Sequence, residues 1–333
     1  MNVLVTGGAG SIGVYVVEAL CARGDRVAVV DSMNDFYDPA FKRSRFRAFF
    51  PRAAPELHEI NIVDEQRLGD VFTAFRPEGV VHLAAWASVR PSLRYPLLYT
   101  RENVEGTVNV FEQSVRHGVG NVVFASSSSV YGHTPPPFRE DARCDSPVGS
   151  YGASKRAGEL YAWMYHHAHG LPVICLRFFT VYGPWIRPDM AMWKFTERIS
   201  RGEPITLHRM SSNNEEVQRD FTSVDDIVSG VLAALDRVSG FDIVNISAHD
   251  PVPLTRFVRA IEAGLGKTAI IQEKVLPVEE EIVTAADISR AQERLDYAPT
   301  VTIEDGARRF TSWYVQEFLP AFPTGLAPSR YWS

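Results

Sequence analysis

The chain has 333 residues, enough for a doubly wound domain and a second, smaller lobe. Its net charge of -6 gives no basic surface for nucleic acid, and no apolar run approaches the ~20 residues that span a membrane. Three cysteines, Cys21, Cys144 and Cys175, have no zinc-like spacing and are expected to be buried small side chains in a reducing compartment. We therefore expect a cytoplasmic protein that binds neither nucleic acid nor membranes.

The first predicted elements are a strand, a glycine-rich turn and a helix. The strand covers residues 2–6, which leaves no room for a signal peptide. Gly7, Gly10 and Gly13 follow it, and an amphipathic pattern predicts a helix over 11–23. Glycines at this spacing let the chain turn tightly and let a pyrophosphate approach a helix N-terminus. The pattern favours a dinucleotide-binding site.

A second strand, predicted over 27–30, ends in Asp31. A carboxylate at this place accepts hydrogen bonds from the adenosine ribose and repels a 2′-phosphate, so NAD is favoured over NADP. The alternative is a plain glycine turn followed by a solvated aspartate. The next stretch, 34–50, predicts a loop and a helix whose basic side chains form a solvated face.

The next two predicted strands extend the cofactor site. The third covers 57–62 and places Asn61 and Ile62 at the adenine, and a helix begins after Asp64. The fourth covers 80–85 and ends in small residues, which let a dinucleotide lie across the carboxyl edge of the sheet. Its candidate cofactor contacts are Leu83, Ala84 and Ala85.

Three polar residues in the following region are weaker indicators of function. His82 lies inside the fourth strand and is expected to be a core histidine rather than a catalyst. Arg90 is compatible with a structural ion pair or with anion binding. A long helical pattern over 93–117 contains Asn103.

The fifth predicted strand, 121–126, leads into a serine run at 126–129. Tyr151 and Lys155 follow in a predicted helix over 151–167, four residues apart and therefore on one face. A nearby ammonium favours the phenolate, so we expect Lys155 to bring the pKa of Tyr151 towards neutrality. This pair and a serine hydroxyl provide general acid/base catalysis for alcohol–ketone chemistry.

A sixth strand at 172–178 completes an alternation of strands and helices, which predicts an α/β fold with a Rossmann-type doubly wound parallel sheet. Beyond it we expect a smaller, interleaved C-terminal substrate-binding lobe, because 241–246 is predicted to return to the main sheet. We predict an NAD-binding domain at 1–180, a substrate lobe mainly at 181–320 and a loosely held tail at 321–333. No metal site is predicted, since three clustered histidines near 166–169 face different ways.

Four motifs together resemble those of the extended short-chain dehydrogenase/reductase family that acts on nucleotide sugars. They are Gly7-x-x-Gly10-x-x-Gly13, Ser127, Tyr151-x-x-x-Lys155 and Arg219-Asp220-Phe221-Thr222. The resemblance covers residues 2 to about 314. Within the family, stretches 34–38 and 178–190 look most like those of the UDP-glucuronate 4-epimerases.

The resemblance implies an NAD-dependent isomerase with a UDP-sugar as substrate. Tyr151 would exchange the proton of the sugar 4-hydroxyl, Lys155 would hold the nicotinamide ribose, and Ser127 would bind the 4-oxygen. The implied cofactor contacts are Gly7, Gly10, Ser11, Ile12, Gly13, Asp31, Asn61, Ile62, Leu83, Ala84, Ala85, Asn103, Tyr151 and Lys155. The candidate substrate contacts are Ser127, Ser128, Thr180, Arg187, Arg219, Arg90 and Glu280.

The residues before Val130 bear on the fate of a 4-keto intermediate. Family members that dehydrate or decarboxylate it resemble one another in having an acidic residue there, whereas this chain has Ser128 and Ser129. A 4-keto hexuronate loses carbon dioxide readily, so an epimerase must clamp the carboxylate. Ser128 and Arg187 are the candidate clamp. Arg219 would pair with the UDP pyrophosphate, or alternatively with Glu215 or Glu216.

Alternatives are an epimerase for neutral or N-acetylated UDP-hexoses, a decarboxylase that makes UDP-xylose, and an NAD-sensing scaffold without catalysis. Thr180 stands where neutral-sugar epimerases carry an asparagine, and Arg187 also argues against a neutral sugar. The family resemblance further implies a homodimer formed through the helices at 93–117 and 151–167.

Overall fold

A seven-stranded parallel sheet forms the centre of the molecule. The structure is a computed structural model that describes residues 1–52, 55–210, 215–237, 239–276 and 283–332. The strands are β1 Asn2–Thr6, β2 Arg26–Val30, β3 Glu56–His58, β4 Gly79–His82, β5 Asn121–Ser127, β6 Val173–Phe178, β7 Thr180–Tyr182, β8 Pro204–Met210, β9 Gln218–Ser223, β10 Phe241–Ile246, β11 Pro251–Pro253 and β12 Ile270–Leu276. The order in the central sheet is β3-β2-β1-β4-β5-β6-β10, which is the Rossmann-type order with one strand added.

Helices connect these strands and cover both faces of the sheet. They are α1 Gly13–Ala22, α2 Pro39–Phe49, α3 Glu65–Phe75, α4 Val89–Arg94, α5 Pro96–Tyr99, α6 Gly106–Arg116, α7 Gly149–His169, α8 Ala191–Ser200, α9 Val224–Arg237, α10 Leu254–Leu265, α11 Ser289–Leu295, α12 Ile303–Trp313 and α13 Leu319–Ala321. Within this set, α1 and α9 pack on one face, and α3, α6 and α7 pack on the other. The described residues include no helix with the length and apolar composition of a membrane span.

The central strands are β-branched and buried on both sides, as expected for a parallel sheet with helices on both faces. In β1, Val3 and Val5 belong to one core cluster and Leu4 to the other. Val5 pairs with Val29 of β2 and with Val81 of β4, so the register brings three valines side by side. The prediction of a Rossmann-type sheet is confirmed.

A buried ion pair joins α7 to the two strands beneath it. The Glu159 carboxylate accepts hydrogen bonds from Arg177 Nε at 2.8 Å and Nη2 at 2.9 Å, and from Ser126 Oγ at 2.6 Å. Both charged side chains are at most 1% exposed, and Arg156 adds a contact at 3.0 Å from the helix surface. Removing one member of such a pair typically costs about 3–5 kcal/mol, because the remaining charge stays buried.

Helix α7 lies unusually close to the turn that follows β5. A Cβ atom on Gly152 would come within 2.6 Å of the Ser129 carbonyl oxygen, and one on Gly158 would come within 2.4 Å of the Phe124 ring. Glycine at these two positions therefore permits the close approach. The result is that the serine run and the first turns of α7 share one edge of the sheet.

The second half of the chain builds two small sheets beside the main one. One contains β11, β9 and β7, and the other pairs β12 with β8. Strand β10 returns to the central sheet and pairs with β6 in parallel, which confirms the expected interleaving. An aromatic cluster fills the space between α8 and α12; it contains Trp193, Phe310, Trp313, Tyr314 and Phe318.

Three predicted elements differ from the structure by more than two residues at one end or are interrupted. Strand β3 ends at His58, because its neighbour β2 ends at Val30. Strand β4 ends at His82, because its partner Thr6 is the last residue of β1 and the glycine-rich turn begins at Gly7. The helix expected over 93–117 is interrupted at Tyr95, because Pro96 disfavours a helical backbone at the residue before it.

Two predictions about burial are wrong. Cys21 lies on the solvent side of α1 and is exposed, whereas Cys144 and Cys175 are buried as expected. The basic side chains of α2 are not all solvated, since Lys42 and Arg45 are buried. Arg45 donates to the carbonyl oxygens of Ala9 at 2.5 Å and of Trp185 at 2.9 Å.

The segment that was expected to be a loosely held tail, 321–333, makes specific contacts near its end. Tyr331 is 8% exposed and stacks on Phe36 with ring centroids 6.0 Å apart. Ser329 Oγ donates to the Phe36 carbonyl oxygen at 2.6 Å. The physical reason is that aromatic side chains near the C-terminus find buried aromatic partners next to β2.

Candidate active site

A cavity of about 350 Å³ opens at the carboxyl ends of β1, β2, β4, β5 and β6. Most of the residues selected from the sequence line it. They are Gly7, Gly10, Ser11, Ile12, Gly13, Asp31, Asn61, Ile62, Leu83, Ala84, Ala85, Ser127, Ser128, Tyr151, Lys155, Thr180 and Arg187. The structure therefore brings the expected cofactor, catalytic and sugar-binding positions to one place.

The glycine-rich turn forms one end of the cavity. Gly7 has φ of 71°, and a Cβ atom there would lie 2.7 Å from the backbone nitrogen of Ala84. A Cβ on Gly13 would lie 2.1 Å from the Gly7 carbonyl oxygen. Only glycine fits this crossing of the β1 turn and the β4 loop, and the N-terminus of α1 consequently faces the cavity.

Asp31 lies beside the glycine-rich turn and is buried. Its Oδ2 accepts from the Ala9 N–H at 3.2 Å, and its Oδ1 accepts from the Met33 N–H at 2.9 Å. Each carboxylate oxygen has a second acceptor position. The side chain is thus fixed by the backbone and remains able to accept hydrogen bonds from ribose hydroxyls.

The catalytic candidates meet where β5 ends and α7 begins. Ser127 is the last residue of β5, and its Oγ accepts from the Ser129 N–H at 3.2 Å. Tyr151 and Lys155 lie on the first turns of α7. The Lys155 ammonium lies 5.1 Å above the centre of the Phe124 ring. This arrangement places a hydroxyl, a phenol and an ammonium around one part of the cavity.

The electrostatics of this group differ from the expectation. Burial raises the pKa of Tyr151, and a hydrogen bond with Ser127 and the charge of Arg187 only partly oppose it. Burial lowers the pKa of Lys155 to about 7. The expected lowering of the Tyr151 pKa by Lys155 is therefore not seen, because the desolvation that surrounds both groups disfavours both charges.

Two buried polar residues lie behind the cavity. His82 is fully buried between Thr6 Oγ1 at 2.7 Å and Thr107 Oγ1 at 2.9 Å, and burial and the Lys155 charge lower its pKa to about 3. It is a neutral core histidine, as predicted. Asn103 does not line the cavity, contrary to its selection as a cofactor contact. Its amide is used by the Trp86 backbone and by the Ser154 hydroxyl.

Thr180, Ser128 and Arg187 line the part of the cavity next to the catalytic group. Arg187 Nη2 lies 3.4 Å from Asp189 Oδ2, and Arg187 Nη1 is buried without a hydrogen-bond partner among the described residues. The guanidinium also lies 5.5 Å above the Phe36 ring centre. An anionic group entering the cavity would find a partly desolvated donor there.

The remaining substrate candidates lie elsewhere. Arg90 is exposed at the start of α4, and it is not one of the residues that line the cavity. Arg219 lies in β9, also outside the described lining, and donates to the neighbouring Gln218 carbonyl oxygen at 3.0 Å. Of the two alternative partners of Arg219, Glu216 accepts a hydrogen bond from Thr255 Oγ1 at 2.6 Å. Glu280 lies outside the described residues.

Several lining residues were not selected from the sequence. Phe36 and Trp86 form an aromatic wall with ring centroids 5.5 Å apart. Lys42 donates to Asn34 Oδ1 at 2.8 Å, and both residues line the cavity. The aromatic residues in stretch 34–38 were the available signal for the wall. No sequence pattern indicates that Lys42 lines the cavity, because its burial depends on how this loop folds.

The cavity fits a dinucleotide such as NAD. A glycine cradle that a Cβ atom would fill faces the N-terminus of α1, and the buried Asp31 stands at the end of β2. Asn61 and Ile62 line the side next to Asp31, and Tyr151 and Lys155 line the opposite end of the β-strand edge. These residues would hold the adenosine and nicotinamide ends respectively.

Comparisons with known proteins agree with this geometry. The model of the NAD dependent epimerase/dehydratase family matches residues 3–247. The chain is 41% identical to UDP-glucuronate 4-epimerase 4 of Arabidopsis thaliana over 96% of this chain and 76% of that protein. Its structure is similar to that of a UDP-glucuronic acid 4-epimerase from Bacillus cereus in complex with UDP-glucuronic acid and NAD, with a TM-score of 0.85 and 29% identity over 95% of this chain and 99% of that chain. A UDP-glucose 4-epimerase from Thermotoga maritima with UDP-glucose gives the same TM-score of 0.85 and the same 29% identity, over 96% and 100%. The chain belongs to the NAD dependent epimerase/dehydratase family.

We expect Lys155→Met to stabilise the nucleotide-free protein near pH 7. Burial holds the pKa of Lys155 at about 7, whereas the unfolded chain keeps that proton up to about pH 10.4. The cost of burying the ammonium is therefore full below pH 7 and falls as the pH rises towards 10. Urea unfolding of both proteins across this pH range should show that the variant has the higher free energy of unfolding, by an amount that shrinks as the pH rises. A difference that is constant with pH would contradict the assigned pKa.

Proposed function

We propose that this protein is a UDP-glucuronate 4-epimerase that interconverts UDP-glucuronate and UDP-galacturonate with NAD as its cofactor. The observation that carries the proposal is the shared cavity, in which Ser127, Tyr151 and Lys155 stand beside Arg187. The first three provide alcohol–ketone chemistry, and the arginine provides a site for a carboxylate. The 41% identity to a plant protein of this name supports the choice of sugar.

In the proposed mechanism, Tyr151 reacts as the phenolate, although burial raises the pKa of its hydroxyl. The phenolate accepts the proton of the sugar 4-hydroxyl, and the resulting phenol later returns a proton to the same oxygen. Ser127 donates a hydrogen bond to that oxygen and holds it beside the phenol. Bound NAD would supply reversible hydride transfer at C4. Lys155, which follows Tyr151 by four residues in α7, would favour the phenolate by its positive charge when it is protonated. The 4-keto sugar turns over between the two transfers, so that the returning hydride adds to the opposite face.

The residues after Ser127 favour epimerisation over elimination. Ser128 and Ser129 line the cavity where an acidic residue would be needed to move a proton at C5 or C6. A serine hydroxyl does not serve as an acid or base at neutral pH without activation by a neighbouring group. Dehydration and decarboxylation are therefore disfavoured, and the 4-keto intermediate is reduced again.

We assign the sugar carboxylate to Arg187, with Ser128 as a second donor and Thr180 beside them. The 4-keto intermediate is a β-keto acid, and it loses carbon dioxide when the bond between C5 and C6 aligns with the carbonyl π system. A guanidinium fixes a carboxylate by two parallel hydrogen bonds. Arg187 Nη1, which is buried without a partner among the described residues, supports this assignment.

The main alternative is a 4-epimerase for neutral or N-acetylated UDP-hexoses. Overall fold does not decide between them, because the glucose and glucuronic acid enzymes are equally similar to this chain. The partly desolvated guanidinium of Arg187 favours the acid, since a neutral sugar offers no carboxylate to its buried Nη1, which has no hydrogen-bond partner among the described residues. A decarboxylase is disfavoured by the two serines. A non-catalytic scaffold would not need the catalytic group.

Fewer contacts support the residues that we assign to the nucleotide end of the substrate. Burial lowers the pKa of Arg219 to about 10, and the guanidinium forms no ion pair with a carboxylate in the described part of the chain. A diphosphate would supply the missing charge. We also keep Glu280 as a candidate for the uridine ribose. Cofactor binding is assigned to residues 1–180 and substrate binding mainly to 181–320.

The proposed assembly is a cytoplasmic homodimer. Exposed apolar side chains cluster on α4, α5 and α7, which pack side by side. They are Leu93, Leu97, Leu160, Tyr161 and Trp163, with exposed fractions from 38% to 83%. A patch of this kind on three adjacent helices suits a symmetric helical interface with a second copy.

Arg187→Ala is expected to lower kcat/KM for UDP-glucuronate by about 10- to 100-fold, because a charge-assisted hydrogen bond contributes ~1.5–3 kcal/mol. Turnover of UDP-glucose should change little, and a pentose product should appear because the carboxylate is no longer held. Proton NMR of the products measures all three quantities. Arg198→Ala, at an exposed arginine of α8, is the matched control. If Arg187→Ala keeps the preference for UDP-glucuronate over UDP-glucose and forms no additional pentose, Arg187 does not bind the carboxylate.

Leu160→Glu is expected to shift the protein from dimer to monomer at micromolar concentration, since it places a charge in an apolar interface. Sedimentation velocity would measure the shift. Ile271→Glu, at a 46% exposed residue of β12, is the control for a charge on an apolar surface outside this patch. If the unsubstituted protein sediments as a monomer, the proposed assembly is wrong.

A further inference from the structure

The C-terminal segment, residues 327–332, is built onto the loop between β2 and α2. The Ala327 N–H donates to Asp38 Oδ2 at 3.3 Å, and Ser329 Oγ donates to the Phe36 carbonyl oxygen at 2.6 Å. Tyr331 Oη donates to Asp35 Oδ1 at 3.2 Å. These bonds join the end of the chain to three positions of one short loop.

Aromatic rings continue this contact into the cavity wall. Tyr331 stacks on Phe36 at 6.0 Å and meets the Trp86 ring edge-on at 4.9 Å. Trp332 meets Phe36 edge-on at 6.0 Å from another side. Phe36 and Trp86 both line the cavity, whereas Tyr331 and Trp332 stand behind them. The segment therefore supports the aromatic wall from outside.

Phe36 is also the surface on which Arg187 rests. The guanidinium lies 5.5 Å above its ring centre. The other contacts of Arg187 with the described residues are long, namely 3.4 Å from its Nη2 to Asp189 Oδ2 and 3.4 Å to the sulfur of Met190. The ring face is thus a principal support for the orientation of this guanidinium.

We propose that the C-terminal segment is a positioning element for Arg187. Tyr331 and Trp332 hold the Phe36 ring, and the ring holds the guanidinium in the orientation that receives the sugar carboxylate. Naming the carboxylate as ligand rests on the proposed function, whereas the support of Arg187 through Phe36 rests on the geometry alone. The segment acts through Arg187 and does not touch the reacting atoms.

The test compares Tyr331→Ala with Tyr331→Phe in the full-length protein with bound NAD. Tyr331→Ala is expected to raise KM for UDP-glucuronate about three- to tenfold, with kcat and the KM for UDP-glucose nearly unchanged. Tyr331→Phe keeps the ring and should behave like the unsubstituted protein. Phe241→Ala, which removes a half-buried ring at the start of β10 that contacts His166, is the control and should not alter the preference for UDP-glucuronate over UDP-glucose.

Amide hydrogen exchange provides a readout that needs no substrate. Tyr331→Ala should speed exchange in residues 34–38 and 185–190, and Phe241→Ala should not. Unchanged exchange in 185–190 would overturn the proposal, as would equal loss of activity on both sugars. If the unsubstituted protein fails to convert UDP-glucuronate, the proposed function fails, and the exchange experiment still decides whether the segment positions Arg187.

Discussion

The buried ion pair between Glu159 and Arg177 is the constraint on which the active-site geometry depends. The Glu159 carboxylate is bonded to β6 through Arg177 and to β5 through Ser126. Ser126 immediately precedes the catalytic candidate Ser127, and Glu159 lies one helical turn after Lys155. Charges buried this deeply tolerate little displacement, because each needs its partner. The pair therefore fixes the serine hydroxyl relative to the phenol and the ammonium.

A second set of buried contacts joins the cofactor side of the molecule to the sugar side. Arg45 donates to Ala9 in the glycine-rich turn and to Trp185 in the segment that carries Arg187. Tyr15 Oη in α1 donates to the neighbouring Pro184 carbonyl oxygen at 2.7 Å. The two halves of the site are consequently held together by direct hydrogen bonds between the elements that line them.

The sequence was a good guide wherever function depends on local spacing. The glycines before α1, Asp31 at a strand end and the Tyr151–Lys155 pair follow from spacing within one element or turn, and all line the cavity. Features that depend on distant contacts were not predictable. Burial of Arg45 and packing of Tyr331 on Phe36 require segments far apart in the chain to meet. The raised pKa of Tyr151 likewise reflects burial, which the four-residue spacing from Lys155 does not reveal.

In the proposed mechanism, one hydride leaves C4 of the sugar and returns to the same carbon. Proton NMR of the purified protein, incubated without added NAD and with UDP-glucuronate that carries deuterium at C4, can follow this transfer. We expect UDP-galacturonate with deuterium retained at C4 and no pentose. Loss of the label to solvent, or a pentose as the main product, would contradict this mechanism.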